Sequence, residues 1–279
     1  MPILSVRNLT FTYPGVTEPA LAGVSFDVER GECLAIFGAA KSTLCLCLAG
    51  AIPHLISGQM EGEVIVDGLL TRAVRLPELA TKVGMVLQDP ENTLFNITVG
   101  GDVVFGMENL GVPRDEMAAR MEEAMTLVGL AGFHARMSHE LSGGQKQRAS
   151  VAAVLAMRPS ILILDEPTRE LDPLGTEEVF GLLARLKERG TTIVIVENDP
   201  DHVAPLADRM LLLRHGRVEV LAPPREFYAR VRDDPKIRFP QVTELYLALQ
   251  GRAALPGRIP ITLEEGIETL GPLYRRVCH

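Results

Sequence analysis

The stretch Leu141–Asp172, LSGGQKQRASVAAVLAMRPSILILDEPTRELD, decides the fold class of this chain. Its run Ile161–Leu164 is apolar at every position, as expected for a parallel strand that is covered on both faces. Asp165 and Glu166 come directly after that run, at the strand end where open α/β sheets place their ligands. The stretch therefore predicts an α/β fold with a ligand site at the carboxyl edge of its sheet.

A glycine turn begins the same stretch. Ser142 can cap the helix that follows, and Gln145 completes an S-x-x-Q capping box. Gly143 and Gly144 carry no side chain that would cover the backbone N–H groups at the start of this helix, and such uncovered groups form an anion site. We therefore expect Ser142, Gly143, Gly144 and Gln145 to contact a phosphate.

A shortened phosphate-binding loop follows a second apolar strand, predicted over Cys33–Phe37. The loop and the start of the next helix consist of Gly38, Ala39, Ala40, Lys41, Ser42 and Thr43. A P-loop has the pattern G-x-x-x-x-G-K-[ST], with five residues between its first glycine and the lysine. Here there are two, which shortens the reach of the loop by about 10 Å. Lys41 and Ser42 can still lie at the start of a helix, predicted over Leu44–Ala49, where phosphate and Mg²⁺ are favoured.

Three explanations fit the missing residues. The loop was shortened by design or mutation, the recorded sequence omits residues that the protein has, or the chain is a natural subunit that has lost a full P-loop. The good order of the surrounding motifs favours the first two. The loop as it stands is too short to encircle a phosphate as a full P-loop does.

The motifs in the stretch Leu141–Asp172 closely resemble the signature motif, Walker B motif and D-loop of ATP-binding-cassette (ABC) ATPases. The resemblance implies an ABC-type P-loop ATPase core, a mixed sheet with flanking helices, at residues 1–221. It also implies a helical subdomain inserted at about residues 90–157. A small C-terminal extension at residues 222–279 is expected to help pair two ATPase subunits.

The resemblance also assigns roles in binding and hydrolysing ATP with Mg²⁺. Asp165 and Ser42 would hold the metal ion, Lys41 would neutralise the phosphates, and Glu166 would polarise the attacking water. Neighbouring residues on a strand point in opposite directions, so Asp165 and Glu166 can serve the metal and the water separately. Tyr13 matches the aromatic residue that stacks on adenine, although without these motifs it would be an ordinary half-buried tyrosine.

Two further positions complete the expected site. A strand predicted over Val83–Gln88 ends on Gln88, which matches the glutamine that reaches Mg²⁺ and the attacking water. Asn198 occupies the position that is usually histidine in the family. Because an amide cannot carry a proton or a charge, Asn198 is either a weakened catalytic residue or a plain turn residue. The missing histidine would cost about 10²–10⁴ in rate if its contribution is that of a general acid or base.

Partners follow from the same resemblance. The signature residues close over ATP that another subunit's Walker motifs hold, so each chain supplies half of two sites. The stretches 88–95, 105–111 and 239–245 resemble the ATPase subunits of energy-coupling-factor importers for vitamins and transition-metal ions. We therefore expect three partners: a second ABC ATPase subunit in a homodimer or a heterodimer, a transmembrane coupling subunit and a substrate-binding membrane subunit. The alternative is a catalytically impaired subunit that serves as a binding or regulatory half beside an active partner.

Composition limits the other possibilities. The chain has 279 residues and a net charge of −8, and this acidic balance does not favour nucleic-acid binding. No apolar run reaches the roughly 18–20 residues that span a bilayer. Arg7 interrupts the short, mixed start of the chain, so no signal peptide is expected. We therefore expect a peripheral protein on the cytoplasmic face of the cell membrane. Of the four cysteines, Cys45 and Cys47 lie two apart on a predicted helix and are expected to be reduced core thiols rather than metal ligands.

Overall fold

The computed structural model describes residues 1–90, 93–250, 255 and 257–277, with side chains of the last helix described up to residue 271. Residues 91 and 92, part of the run 250–260, and Cys278 therefore lie outside it. The strands are β1 (Leu4–Thr12), β2 (Leu21–Val28), β3 (Cys33–Gly38), β4 (Gln59–Val66), β5 (Leu69–Leu70), β6 (Val83–Val86), β7 (Ile161–Asp165), β8 (Thr192–Val196), β9 (Arg209–Arg214) and β10 (Arg217–Ala222). The helices are α1 (Lys41–Leu48), α2 (Ala51–His54), α3 (Leu76–Ala80), α4 (Val99–Asn109), α5 (Arg114–Leu127), α6 (Gly143–Ala156), α7 (Pro173–Glu188), α8 (Pro200–Leu206), α9 (Pro224–Arg230), α10 (Gln241–Leu249) and α11 (Leu263–Val277).

A six-stranded mixed sheet in the order β10-β9-β3-β8-β7-β6 forms the centre of the molecule. Its strands are parallel except for β10, which returns antiparallel to β9. Along β7, Leu162 and Leu164 pack into one apolar core, and Ile161 and Ile163 pack into the core on the other face. This two-sided burial explains why the strand is apolar at every position, as predicted.

A second, antiparallel sheet in the order β2-β1-β4-β5 packs on one of these two cores. In β2, residues Val24, Phe26 and Val28 are buried while the residues between them are more exposed. The alternation of apolar and polar residues in this stretch of the sequence therefore marks a strand with one buried face.

Helices α4, α5 and α6 pack on one another and on the other core. One face of α5 is apolar: Ala124 and Met125 are buried, and Met117 and Met121 pack against the same core. Helix α6 begins as predicted: the Ser142 hydroxyl accepts from the Gln145 N–H, and Gln145 Oε1 accepts from the Ser142 N–H.

Several predicted boundaries were wrong. Strand β6 ends at Val86, so Gln88 lies in the bend that follows it rather than on the strand. Helix α1 begins at Lys41 instead of Leu44, because the short loop uses Ala40 as the residue that precedes the helix. Helix α7 begins at Pro173, since Asp172 caps it by accepting from the Gly175 N–H.

The residues after β10 do not form a detached unit. The side chains of Phe227 and Tyr228 on α9 are buried, and the Phe227 ring lies 5.6 Å from that of Phe37 on β3. Helix α10 follows, and its Tyr246 is buried too. Helix α11, which the sequence analysis did not predict, packs on α10. The chain after β10 therefore reaches back to the sheet edge that carries the short loop.

Candidate functional site

The carboxyl ends of four neighbouring parallel strands meet at one edge of the large sheet. Strand β3 pairs with β8 and β9, and β8 pairs with β7. Consequently the short loop, Glu166 and Asn198 follow strands that end at this edge, and Asp165 is the last residue of one of them. The structure therefore brings together residues that are up to 160 positions apart in the chain, as the sequence analysis expected.

The short loop turns tightly against β9 instead of arching outwards. Gly38 has φ +100°, and a Cβ atom at this position would lie 1.9 Å from the Leu213 carbonyl oxygen. The Ala39 N–H donates to that same oxygen at 3.2 Å. Ala40 then adopts the left-handed conformation with φ 60°, and α1 starts. Only glycine fits at position 38, and the Ala39 amide is already bonded.

The anion site that remains is the start of α1. The first N–H groups of a helix have no partner inside the helix, so those of Lys41, Ser42 and Thr43 are available to an anion. The side chain of Ser42 is also exposed. This site has fewer amides than a complete P-loop, because Ala39 donates elsewhere and three residues are absent.

Lys41, Glu166 and Asn198 form one polar network beside this helix start. The Asn198 amide nitrogen donates to Glu166 Oε1 at 2.9 Å, and Lys41 Nζ donates to Asn198 Oδ1 at 3.3 Å. Lys41 Nζ also lies 3.6 Å from Glu166 Oε1. Arg169 donates to the other oxygen of Glu166 at 3.3 Å. The network orients Glu166, whose backbone φ is +48°.

Asp165 lies deeper, at the end of β7. Its side chain is buried, and the carboxylate is hydrogen-bonded to the Ser42 side chain. The Oδ1 atom has no hydrogen-bond partner among the described residues. Burial raises the pKa of Asp165 above its usual value, while the Ser42 hydrogen bond opposes this shift. An unpartnered carboxylate oxygen beside a hydroxyl is a fitting pair of ligands for Mg²⁺, which prefers oxygen donors.

Two predicted residues lie at the margin of the site. The Tyr13 hydroxyl is 3.0 Å from Thr43 Oγ1, and its ring packs edge-on against Phe11 at 4.8 Å. Thr43 is thereby tied to the end of β1. Gln88 lies in the bend after β6, and the described residues show no hydrogen bond from its side chain to Asp165 or Ser42. Adenine stacking by Tyr13 and metal binding by Gln88 stay predictions.

The glycine turn before α6 forms a separate cleft of about 370 Å³. Ser142, Gly143, Gly144 and Gln145 line it together with residues of the turn before α7. None of these four residues contacts the Lys41–Glu166–Asn198 network in the part of the chain that the structure describes. The structure therefore shows two separate groups of the expected site residues.

Comparisons with known proteins identify the family. The model of the ABC transporter family matches residues 21–169, more than half of the chain. The chain is 41% identical to an ABC transporter ATP-binding protein of Pyrococcus horikoshii, with 99% of each chain covered. The chain belongs to the ABC transporter family of ATP-binding proteins.

Two further relatives extend the comparison. The structure of cbiO1 from Clostridium perfringens, part of the ABC transporter complex cbiONQ, matches with a TM-score of 0.74. It is 33% identical and the match covers 90% of this chain and 97% of that one. The energy-coupling factor transporter ATP-binding protein of Lacticaseibacillus paracasei is 42% identical, with 81% of each chain covered. The predicted ABC ATPase fold is confirmed.

One residue of this ABC subunit that the sequence analysis missed is Glu197. Its buried carboxylate accepts from the Thr168 hydroxyl at 2.7 Å, from the Thr168 N–H and from the Asn198 N–H. Burial raises its pKa above the usual value, and these hydrogen bonds oppose that shift. Glu197 thus ties the turn after Glu166 to the end of β8. A carboxylate directly after the apolar run of β8 was the signal in the sequence.

Proposed function

We propose that this chain is the ATP-binding and hydrolysing subunit that powers import of a vitamin or a transition-metal ion through an energy-coupling-factor membrane complex. The convergence of Lys41, Asp165, Glu166 and Asn198 at one sheet edge carries this proposal. The two relatives of the cbiONQ and energy-coupling-factor type support the choice of transporter class.

The positions of these residues suggest separate roles in metal binding, charge neutralisation and water polarisation. Asp165 and Ser42, with Gln88 joining from the bend after β6, would hold Mg²⁺, which supplies positive charge to the phosphates when bound. Lys41 Nζ now lies 3.6 Å from the Glu166 carboxylate and neutralises it. When nucleotide binds, Lys41 would turn from Glu166 to the phosphate oxygens. Glu166 then keeps its bonds to Asn198 and Arg169, and its carboxylate can polarise a water. Asn198 holds Glu166 in place but cannot carry a proton.

A complete site on this account needs two subunits. The signature cleft, built by Ser142, Gly143, Gly144 and Gln145, is separate from the network around Lys41. ATP-binding subunits of this family act as pairs with transmembrane subunits. The signature residues of each subunit would close over the nucleotide of the other. Residues 222–279 are proposed to help the two subunits pair.

An exposed apolar patch supports a membrane-protein partner. It contains Phe95, Ile97, Phe105 and Met137, of which Ile97 is 78% and Phe95 is 61% exposed. The Phe95 and Phe105 rings pack edge-on with their centroids 4.7 Å apart. An isolated antiparallel β-bridge pairs Thr98, the residue after Ile97, with Met137. Exposed apolar patches mark interaction sites. None of the described helices is long and apolar enough to cross a membrane, so peripheral attachment at the cytoplasmic face through this patch fits the proposal.

A second candidate function is a catalytically impaired half that binds and regulates beside an active partner. The short loop and the asparagine at position 198 favour it. In this case the signature cleft would still complete the partner's site, while the chain's own Glu166 would contribute little to turnover.

The membrane-partner proposal predicts that Phe95→Glu detaches the chain from its complex. A tagged chain, expressed in cells of its own organism, is purified from detergent-solubilised membranes and its companions are identified by mass spectrometry. We expect a polytopic membrane protein and an ATP-binding subunit beside the wild-type chain, and loss of most of the membrane protein with Phe95→Glu. Leu55→Glu is the matched control, because Leu55 is 72% exposed outside the patch. Recovery of the wild-type chain without any membrane protein would contradict the proposal.

A further inference from the structure

A cleft of about 670 Å³ lies beside the short loop at the same sheet edge. The loop residues Gly38, Ala39 and Lys41 form one wall, and residues 236–238 of the C-terminal extension form another. All charged side chains that line it within the described ranges are cationic or can become so: Lys41, Arg214, His215, Lys236 and Arg238. The lining therefore suits an anion.

Residues 236–238 are held in place from both sides. Arg214, at the end of β9, forms ion pairs with Asp234 and with Glu219. Asp234 also accepts a hydrogen bond from the Lys236 N–H at 3.0 Å. Beyond the segment, the Gln241 N–H donates to Asp201 at the start of α8 at 2.9 Å. The segment is thus fixed over the loop before any ligand arrives.

The side chains of this segment alternate in direction. Ile237 and Phe239 pack against the apolar core, and the Phe239 ring lies 5.2 Å from that of Tyr228. Lys236 and Arg238 are exposed and line the cleft. Neither side chain makes a hydrogen bond or an ion pair with a described residue, whereas Arg214 is fully engaged. Two cations without a direct partner therefore face the space next to the loop.

We propose that Lys236 and Arg238 bind the phosphate oxygens of the nucleotide and so replace amides that the short loop lacks. This inference rests on the proposed ATP-binding function and adds the C-terminal extension to the nucleotide site. Arg238 also lines the adjoining cleft that contains Glu166 and Asn198, so it lies on the side where the terminal phosphate is processed. Guanidinium and ammonium groups form charge-assisted hydrogen bonds with phosphate, which are about twice as strong as neutral ones.

Calorimetric titration of the full chain at low ionic strength tests the inference, with MgATP and with inorganic tripolyphosphate as ligands. The double variant Lys236→Gln/Arg238→Gln is expected to bind both ligands at least about tenfold more weakly than the wild-type chain. The control Arg232→Gln removes one charge from the same extension. Arg232 is exposed, does not line the cleft and donates to Gln250, so the substitution should leave both affinities unchanged. Added salt should reduce the difference in affinity between the wild-type chain and the double variant, because salt screens the charges.

The outcomes separate this inference from the proposed function. Equal MgATP affinity of the wild-type chain and the double variant would overturn the role of Lys236 and Arg238 and leave the ATP-binding function intact. Absence of MgATP binding by the wild-type chain itself would overturn both. Because both side chains are exposed, the double variant should unfold at the same temperature as the wild-type chain, which shows that any loss of binding is local.

Discussion

A version of the chain with Gly-Ala-Gly inserted after Ala40 is expected to bind MgATP about 100-fold more tightly than the wild-type chain. The insertion restores the P-loop spacing between Gly38 and Lys41. In the structure, the Ala39 N–H is bonded to the Leu213 carbonyl and α1 follows at once, so few amides remain for phosphate. Additional loop amides would form charge-assisted hydrogen bonds worth about 1.5–3 kcal/mol each before the cost of ordering the loop.

Equilibrium dialysis with MgATP measures this difference. The matched control carries the same three residues after Gly111, a left-handed glycine with open space around it, and should bind MgATP as the wild-type chain does. Equal and tight binding by the wild-type and restored chains would show that the short loop already holds the phosphates. Failure of both to bind would place the defect elsewhere and favour the regulatory-half function.

Substitution of Glu166 by glutamine in the restored chain is expected to lower ATP turnover by about 10²–10⁴. Glutamine keeps the size of the side chain and an oxygen that can accept from Asn198, which now donates to Glu166 at 2.9 Å. It removes the negative charge that polarises water. MgATP affinity should not weaken, because Asp165 and Ser42 still supply the oxygen ligands for the metal ion.

Phosphate release under saturating MgATP measures this turnover. Glu177→Gln is the matched control: it makes the same change at an exposed position of α7 outside the site. Turnover of Glu166→Gln within twofold of the unsubstituted restored chain would exclude Glu166 as the catalytic carboxylate.

Local patterns in the sequence predicted the elements that frame the site. The uninterrupted apolar run Ile161–Leu164 gave a buried parallel strand because both faces of that strand are covered. The capping box of Ser142 and Gln145 gave the start of α6, because both hydrogen bonds connect residues three apart. Such features depend on neighbouring residues and are visible in the sequence itself.

Features that depend on distant residues could not be predicted. The close turn at Gly38 is set by the Leu213 carbonyl, which is 175 positions away in the chain. Glu197 reaches the turn at Thr168 only because β7 and β8 are neighbours in the sheet. The cations Lys236 and Arg238 approach the loop through the ion pair between Arg214 and Asp234. Each of these contacts requires the complete fold.

The measurement that tests the shared-site account most directly is ATP turnover in a mixture of two inactive variants of the restored chain. Gly143→Asp places a negative charge in the signature cleft. The fold should tolerate this change, because the new Cβ would lie 3.6 Å from Leu171, an ordinary contact, and an acidic residue is favourable at a helix N-terminus. The account predicts that Gly143→Asp and Glu166→Gln are each inactive alone. Mixed in equal amounts, they should regain roughly a quarter of the unsubstituted turnover, because mixed pairs contain one intact site. Full turnover by Gly143→Asp alone, or no recovery in the mixture, would contradict a site built from two copies of this chain.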